Sequence, residues 1–290
     1  MRNKKSAFSL IEISIVVLII GILIAGITQS SRLISSSKVA TAQSLTQSAP
    51  VSANKGLMLW LETSMENSFP AAQSSDGASV VTWNDMNTQS IEKLFAVTST
   101  GTVTYKSTST INGLPSLSFA GSAEMTLSTT AGSVAATNIQ TTGSSAGANN
   151  FTFFVVYDDD STTDAIRGIF HNGVMGTNGW GYANTATAST RAVKIGTTTS
   201  NMTTGYSRNP TITTVTYDGA TAKIYTNGGT ATSATVASVA PTVSMFIGGD
   251  GTNRFIGSIS EIIVFDNALR DSDRKSIEEY LSKKYSIKIS

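Results

Sequence analysis

The chain has 290 residues, a formal net charge of +1 and no cysteine, which excludes both disulfides and thiol chemistry. Only 13% of the residues are charged, against about a quarter in an average globular protein. That balance leaves no basic face of the kind nucleic acid requires, so nucleic acid is not an expected partner.

Residues 4–27 carry the strongest signal. Lys4 and Lys5 precede an apolar run that opens at Phe8, continues to Ile27 and is interrupted by one charge, Glu12. About 20 apolar residues rising 1.5 Å each match the roughly 30 Å of a bilayer's hydrocarbon core. A carboxylate in such a helix costs about 2.5–3.5 kcal/mol at the centre and less toward an end, so Glu12 is expected to have a partner. A secretory signal has a shorter apolar region, about 7–15 residues, followed closely by an A-x-A site. Here the matching tripeptide, Ala40-Thr41-Ala42, lies too far downstream.

Thr28–Val51 reads as a continuation of this helix into a Ser/Thr/Ala-rich neck. Its apolar face is patchy (Leu33, Ile34, Val39, Leu45), and Pro50 marks its end. Such a neck is expected to lift a globular head away from the helix. From Ala53 onward, short β-rich runs alternate with Gly, Asn and Ser turns. Predicted strands are Leu57–Leu61, Val80–Asn84, Thr102–Tyr105, Leu117–Phe119, Phe151–Tyr157 and Gly168–Phe170. Further ones are Ala192–Ile195, Thr211–Tyr217, Lys223–Thr226, Ser244–Ile247 and Ile259–Phe265. This spacing predicts one antiparallel sandwich. A short C-terminal helix follows, with Ile277, Tyr280, Leu281 and Tyr285 on its apolar face and Asp271 or Ser272 as cap. Lys283, Lys284 and Lys288 read as its solvated end.

No catalytic constellation is visible. His171 is the single histidine, which rules out clustered imidazole ligands, and no G-x-S-x-G elbow occurs. Glu261 and Asp266 are five residues apart and face opposite sides of a regular strand, unlike a glycosidase carboxylate pair. The head is therefore expected not to be an enzyme. Asp158-Asp159-Asp160 closes an apolar strand; it reads as a solvated turn, with calcium coordination as the alternative. No other cofactor is expected. Trp180 and Tyr182, separated by Gly181, alternate so that both face one side. They serve either as a platform for a sugar ring or as packing inside the sandwich.

The basic leader Met1–Ala7 followed by Phe8-Ser9-Leu10-Ile11-Glu12 resembles the N-terminus of type IV prepilins and pseudopilins, with Ala7 standing where Gly is usual. The resemblance implies cleavage by a prepilin peptidase between Ala7 and Phe8, N-methylation of Phe8, and pairing of Glu12 with the Phe8 amine of a neighbouring subunit. Opposite charges about 4 Å apart attract by roughly 4 kcal/mol at an effective dielectric of 20, which would offset much of the cost of burying Glu12. Residues 1–7 are then a leader, 8–51 a transmembrane and assembly helix with its neck, and 53–290 a head.

The head is similar to concanavalin A-like (laminin G-like) jelly rolls. Gly56-Leu57-Met58-Leu59-Trp60-Leu61 resembles the opening strand, and Ile111–Phe119 a later one. Lys223–Gly228 and Phe255–Glu261 resemble the late hairpin and closing strand. These resemblances together imply a mainly β protein: a pilin-like subunit, more naturally a minor one given its large head, or a pseudopilin. It would sit in the inner membrane as a single-pass protein before assembly. Afterwards it would belong to an extracellular pilus or a periplasmic pseudopilus, partnered by other pilin subunits and presenting a lectin-like head to a glycan or surface protein. The alternative is a membrane-anchored carbohydrate-active or secretion-system component.

Overall fold

Leu10–Gln47 forms one continuous helix, α1, in a computed structural model that describes residues 9–89, 94–129, 150–161, 165–186, 190–205 and 209–290. Ala7 and Phe8 lie outside the described residues. At 38 residues the helix is about 57 Å long. Its side chains are exposed from Leu10 to Ile27, and Leu33 and Ile34 are exposed as well. Farther along, Ala42 and Thr46 are buried and Val39 and Leu45 pack against the head. The second half of the neck therefore lies against the head, while the apolar segment 10–27 stays clear of it. Small residues at Ala42 and Thr46 allow that close approach.

The chain continues through β1 (Leu57–Glu62), β2 (Ser79–Val80), β3 (Thr82–Asn84), β4 (Leu94–Thr100), β5 (Val103–Lys106) and β6 (Ser116–Ala120). Next come β7 (Glu124–Thr129), β8 (Phe151–Asp159), β9 (Arg167–Asn172), β10 (Trp180–Asn184), β11 (Thr190–Ile195) and β12 (Thr198–Gly205). The last strands are β13 (Thr211–Tyr217), β14 (Thr221–Thr226), β15 (Thr232–Thr235), β16 (Met245–Ile247) and β17 (Ile256–Phe265), before helix α2 (Asp271–Tyr285). Among the described residues these form two antiparallel sheets. One runs β15-β14-β13-β8-β17-β6-β5-β2, with β1 also on β17; the other runs β12-β11-β10-β9-β16-β7-β4-β3. The single run read over Val80–Asn84 is split between the sheets, β2 in one and β3 in the other.

Two cores result from strand alternation. Phe151, Phe153, Val155 and Tyr157 of β8, with Ile262 and Val264 of β17, point between the sheets. Phe154 and Val156 of β8, with Ile263 and Phe265 of β17, point the other way, onto α2 and the end of α1. Both strands are buried on both faces, which is why their sequences read as continuous apolar runs. The architecture is three layers deep at this place: helices, sheet, sheet. Helix α2 begins at Asp271, with Arg270 rather than Asp271 or Ser272 in the N-cap position. Asp271 and Asp273 lie in its first turn instead, where negative charge complements the helix dipole.

Candidate functional site

At the N-terminal end of α1, the Ser9 backbone N–H donates to the Glu12 carboxylate at 2.8 Å. Glu12 thus folds back toward the chain end that precedes the helix, next to where Phe8 attaches. Nothing in the described chain covers the apolar side chains around it. α1 is long and apolar enough to cross a membrane by length and composition.

The head's most elaborate polar cluster sits where α1, α2 and the larger sheet meet. The Lys284 ammonium donates to Glu62 at 2.8 Å and to Glu261 at 2.9 Å, all three side chains being fully buried. Glu261 also accepts from Trp60 Nε1 at 2.7 Å, Tyr280 Oη at 2.9 Å and Tyr285 Oη at 2.8 Å. Glu62 accepts from the Ser64 and Met65 backbone N–H groups and from the Ser64 and Ser68 hydroxyls. Burial alone pushes the Glu62 carboxyl up, but the Lys284 charge and these hydrogen bonds outweigh it and hold the group below its ordinary range. Lys284 is the mirror case: burial pushes it down, and Glu261 and Glu62 hold it well above its ordinary value. The Tyr280 and Thr46 hydroxyls are 3.2 Å apart, linking the cluster to α1. The Gln43 side-chain amide donates to the Ser64 carbonyl at 2.9 Å and Lys38 to the Asn112 carbonyl at 3.0 Å, completing the docking. The reading of Lys284 as part of a solvated helix end is therefore corrected.

The three aspartates do not converge. Asp158 and Asp159 point to opposite sides of β8, as strand alternation requires. Asp158 is buried against the Thr110 hydroxyl, and burial pushes its carboxyl up. Asp159 faces inward and is neutralised by Arg191, with Asn184 donating to it at 2.9 Å. Asp160 is exposed. Among the described residues no group of three or more His, Asp and Glu side chains gathers to hold a metal.

Trp180 and Tyr182 do share one side, and that side is the inner core. Trp180 is 0% exposed and stacks on Phe151 with ring centroids 4.5 Å apart; Tyr182 is 1% exposed and meets Tyr157 and Thr213. Neither ring presents a face to a ligand, because β10 carries both of them into the sandwich. His171 is buried on the opposite, outer side of the same sheet, its Nε2 3.2 Å from the Asn178 carbonyl. Burial pushes its pKa down to about 4. Glu261, weighed as half of a carboxylate pair, belongs to the Lys284 cluster instead.

Residues 2–28 match the family described as the prokaryotic N-terminal methylation motif. No curated protein is significantly similar in sequence to the whole chain. Among solved structures, the binding domain of botulinum neurotoxin serotype D/C VPI 5993 is similar at a TM-score of 0.52 and 12% identity, covering 78% of this chain and 52% of that one. A botulinum neurotoxin type C structure, whose cell entry depends on interaction with two ganglioside molecules, gives 0.52 and 12%, covering 79% and 52%. A Trypanosoma rangeli sialidase gives 0.46 and 13%, covering 79% and 33%. The chain thus spans about half of the toxin chains and a third of the sialidase chain. At such identities the two toxin likenesses speak for the fold alone, and the sialidase likeness carries no argument. The chain carries a prepilin-type methylation motif followed by an antiparallel β-sandwich, and the motif supports a pilin-type or pseudopilin-type N-terminus.

Proposed function

We propose that the chain is a type IV pilin-like or pseudopilin subunit, and a minor one, that displays a lectin-like β-sandwich outside the inner membrane. The observation that carries this reading is the methylation motif at residues 2–28 joined to a helix whose apolar side chains nothing in the described chain covers. In this reading a prepilin peptidase cuts between Ala7 and Phe8 and the Phe8 amine is methylated. The helix waits in the inner membrane as a single span, then packs beside the helices of other pilin subunits in a pilus or pseudopilus.

The new Phe8 amine would lie near its own Glu12, given how that carboxylate folds back to Ser9. Either its own or a neighbour's amine neutralises the acid; the neighbour's fixes the register between subunits. The docked second half of α1 makes helix and head one unit, so a force or orientation imposed on the helix reaches the sandwich. The head's role is binding, of a glycan or a surface protein, and its concanavalin A-like character belongs to this proposal. Shearing surface filaments from cells with and without the prepilin peptidase tests the reading. The chain is expected in the sheared fraction, or with a pseudopilus, only when the peptidase is present; equal recovery from both strains contradicts it.

A further inference from the structure

The outer side of the β12–β3 sheet carries a pocket of about 320 Å³ lined by Ile166, Val174, Met175, Lys194, Asp250 and Asn253, among others. That volume is at the small end of the range of about 300–1,000 Å³ for small-molecule sites. The large apolar residues exposed on the described head are Val81, Ile166, Val174 and Val239, and two of the four border this one pocket.

Both walls are built in advance. The loop after β9 is tied by Asn178, whose side-chain oxygen accepts from Val174 N at 3.0 Å and whose amide donates to the Thr242 hydroxyl at 2.9 Å. His171, beneath that loop, holds the Asn178 carbonyl. The facing loop after β16 is tied by Asp250, which accepts from Thr252 N at 2.9 Å, Asn253 N at 2.6 Å and Asn253 Nδ2 at 2.9 Å. The strand that carries Lys194 into the pocket is equally fixed by its neighbours. Strand pairing places His171, Gly181 and Lys194 in one outward row across β9, β10 and β11. A Cβ at Gly181 would lie 2.4 Å from His171 Nδ1, so this position admits only glycine without a shift. A preformed site of this kind spares a ligand the cost of ordering loops.

The lining selects a ligand class. It holds one ammonium and one carboxylate, so it has no net preference for an anion or a cation. Lys194 supplies donors only; Asp250 supplies acceptors only, and because its Oδ1 already accepts from Thr252 N and Asn253 N, it is Oδ2, which accepts once from Asn253 Nδ2, that has a lone pair to offer a ligand. Asn253 and Thr252 supply both kinds. Hydroxyl groups, which donate and accept at once, match that mixture, and the aliphatic rim suits the C–H face of a ring. We propose that this pocket binds one neutral, hydroxylated sugar ring of a glycan, with Lys194 and Asp250 on its hydroxyls and Ile166 and Val174 against its apolar face. This rests on the reading of the head as a binding module and moves the ligand site from the inner-core Trp180 and Tyr182 to the outside of the sheet.

The test uses the full chain in detergent and a panel of glucose, galactose, mannose and N-acetylglucosamine, with N-acetylneuraminic acid as the charged comparison, followed by titration calorimetry. A neutral sugar is expected to bind. Lys194→Met and Val174→Arg, the second a rim change that adds bulk at an exposed position, should each weaken it by at least about tenfold with an unchanged circular dichroism spectrum. Binding of the charged sugar alone overturns the ligand class, and binding of no sugar overturns the proposal entirely. A neutral sugar that binds both variants as well as the wild type overturns this pocket while leaving a glycan-binding head in place.

Discussion

Lys284 Nζ lies 2.8 Å from Glu62 Oε2, both side chains fully buried, across 222 residues of sequence. Together with Glu261 the pair joins α2 to the larger sheet and, through Tyr280 and Thr46, to α1. Removing the lysine leaves two buried carboxylates without their cation. Lys284→Met should cost about 3–5 kcal/mol of stability, read as a shift in the urea midpoint of the full chain in detergent. A loss below about 1 kcal/mol would show that the cluster is not what fastens α2.

The pH dependence has a defined sign. His171 has a folded pKa of about 4 against an ordinary 6.5, because burial, and secondarily Lys194, disfavour its charged form. The unfolded chain takes up the proton first, so this contribution is complete above about pH 6.5 and is lost as pH falls toward 4. The wild type should lose about 2 kcal/mol between pH 7.5 and 5. His171→Gln should be nearly flat over that window. Equal slopes for the two proteins would remove His171 as the cause. Glu62, with its lowered pKa, contributes above its ordinary value of 4.5 and loses that contribution at still lower pH; Lys284, with its raised pKa, loses its own only above about 10.5.

Docking of the second half of α1 depends on small side chains. Ala42 is 1% exposed against the head. Ala42→Glu should bury an unpaired carboxylate or release the helix. Limited proteolysis is expected to cut near residues 38–51 in the variant and not in the wild type. Identical cleavage patterns would mean that this contact does not hold the helix in place.

Glu12→Ala removes the lone acid of the exposed apolar segment without touching the leader. Processing should continue normally while incorporation into sheared filaments falls severalfold. Filament fractions containing equal amounts of variant and wild type would show that Glu12 does not set the register.

Much of this was legible in the sequence, because the signals that decide it are local. The apolar run from Phe8 needs no tertiary information, and β8 and β17 announce themselves as strands buried on both faces. The strands absent from the predicted set are β4, β7, β10, β12 and β15: β12 and β15 are Ser/Thr-rich edge strands, Gly181 interrupts β10, and β4 and β7 run into Ser/Thr ends. The burial of Lys284 is hidden from the sequence for a different reason. Its burial is decided by Glu62 and Glu261, which the sheet brings under α2 from far away in sequence. The outward row of His171, Gly181 and Lys194 was equally invisible, since it exists only once three strands are in register. Trp180 and Tyr182 had the right alternation, but which side faces the core is set by the sheet's partner.

Intact-mass analysis of the protein purified from its own cells tests the central claim most directly, with Ala7→Glu as the control that should block processing. The account predicts a mature chain that has lost Met1–Ala7 and gained one methyl group on Phe8, and an uncut variant. A native protein that still begins at Met1, or one that has lost the whole apolar segment, would contradict it.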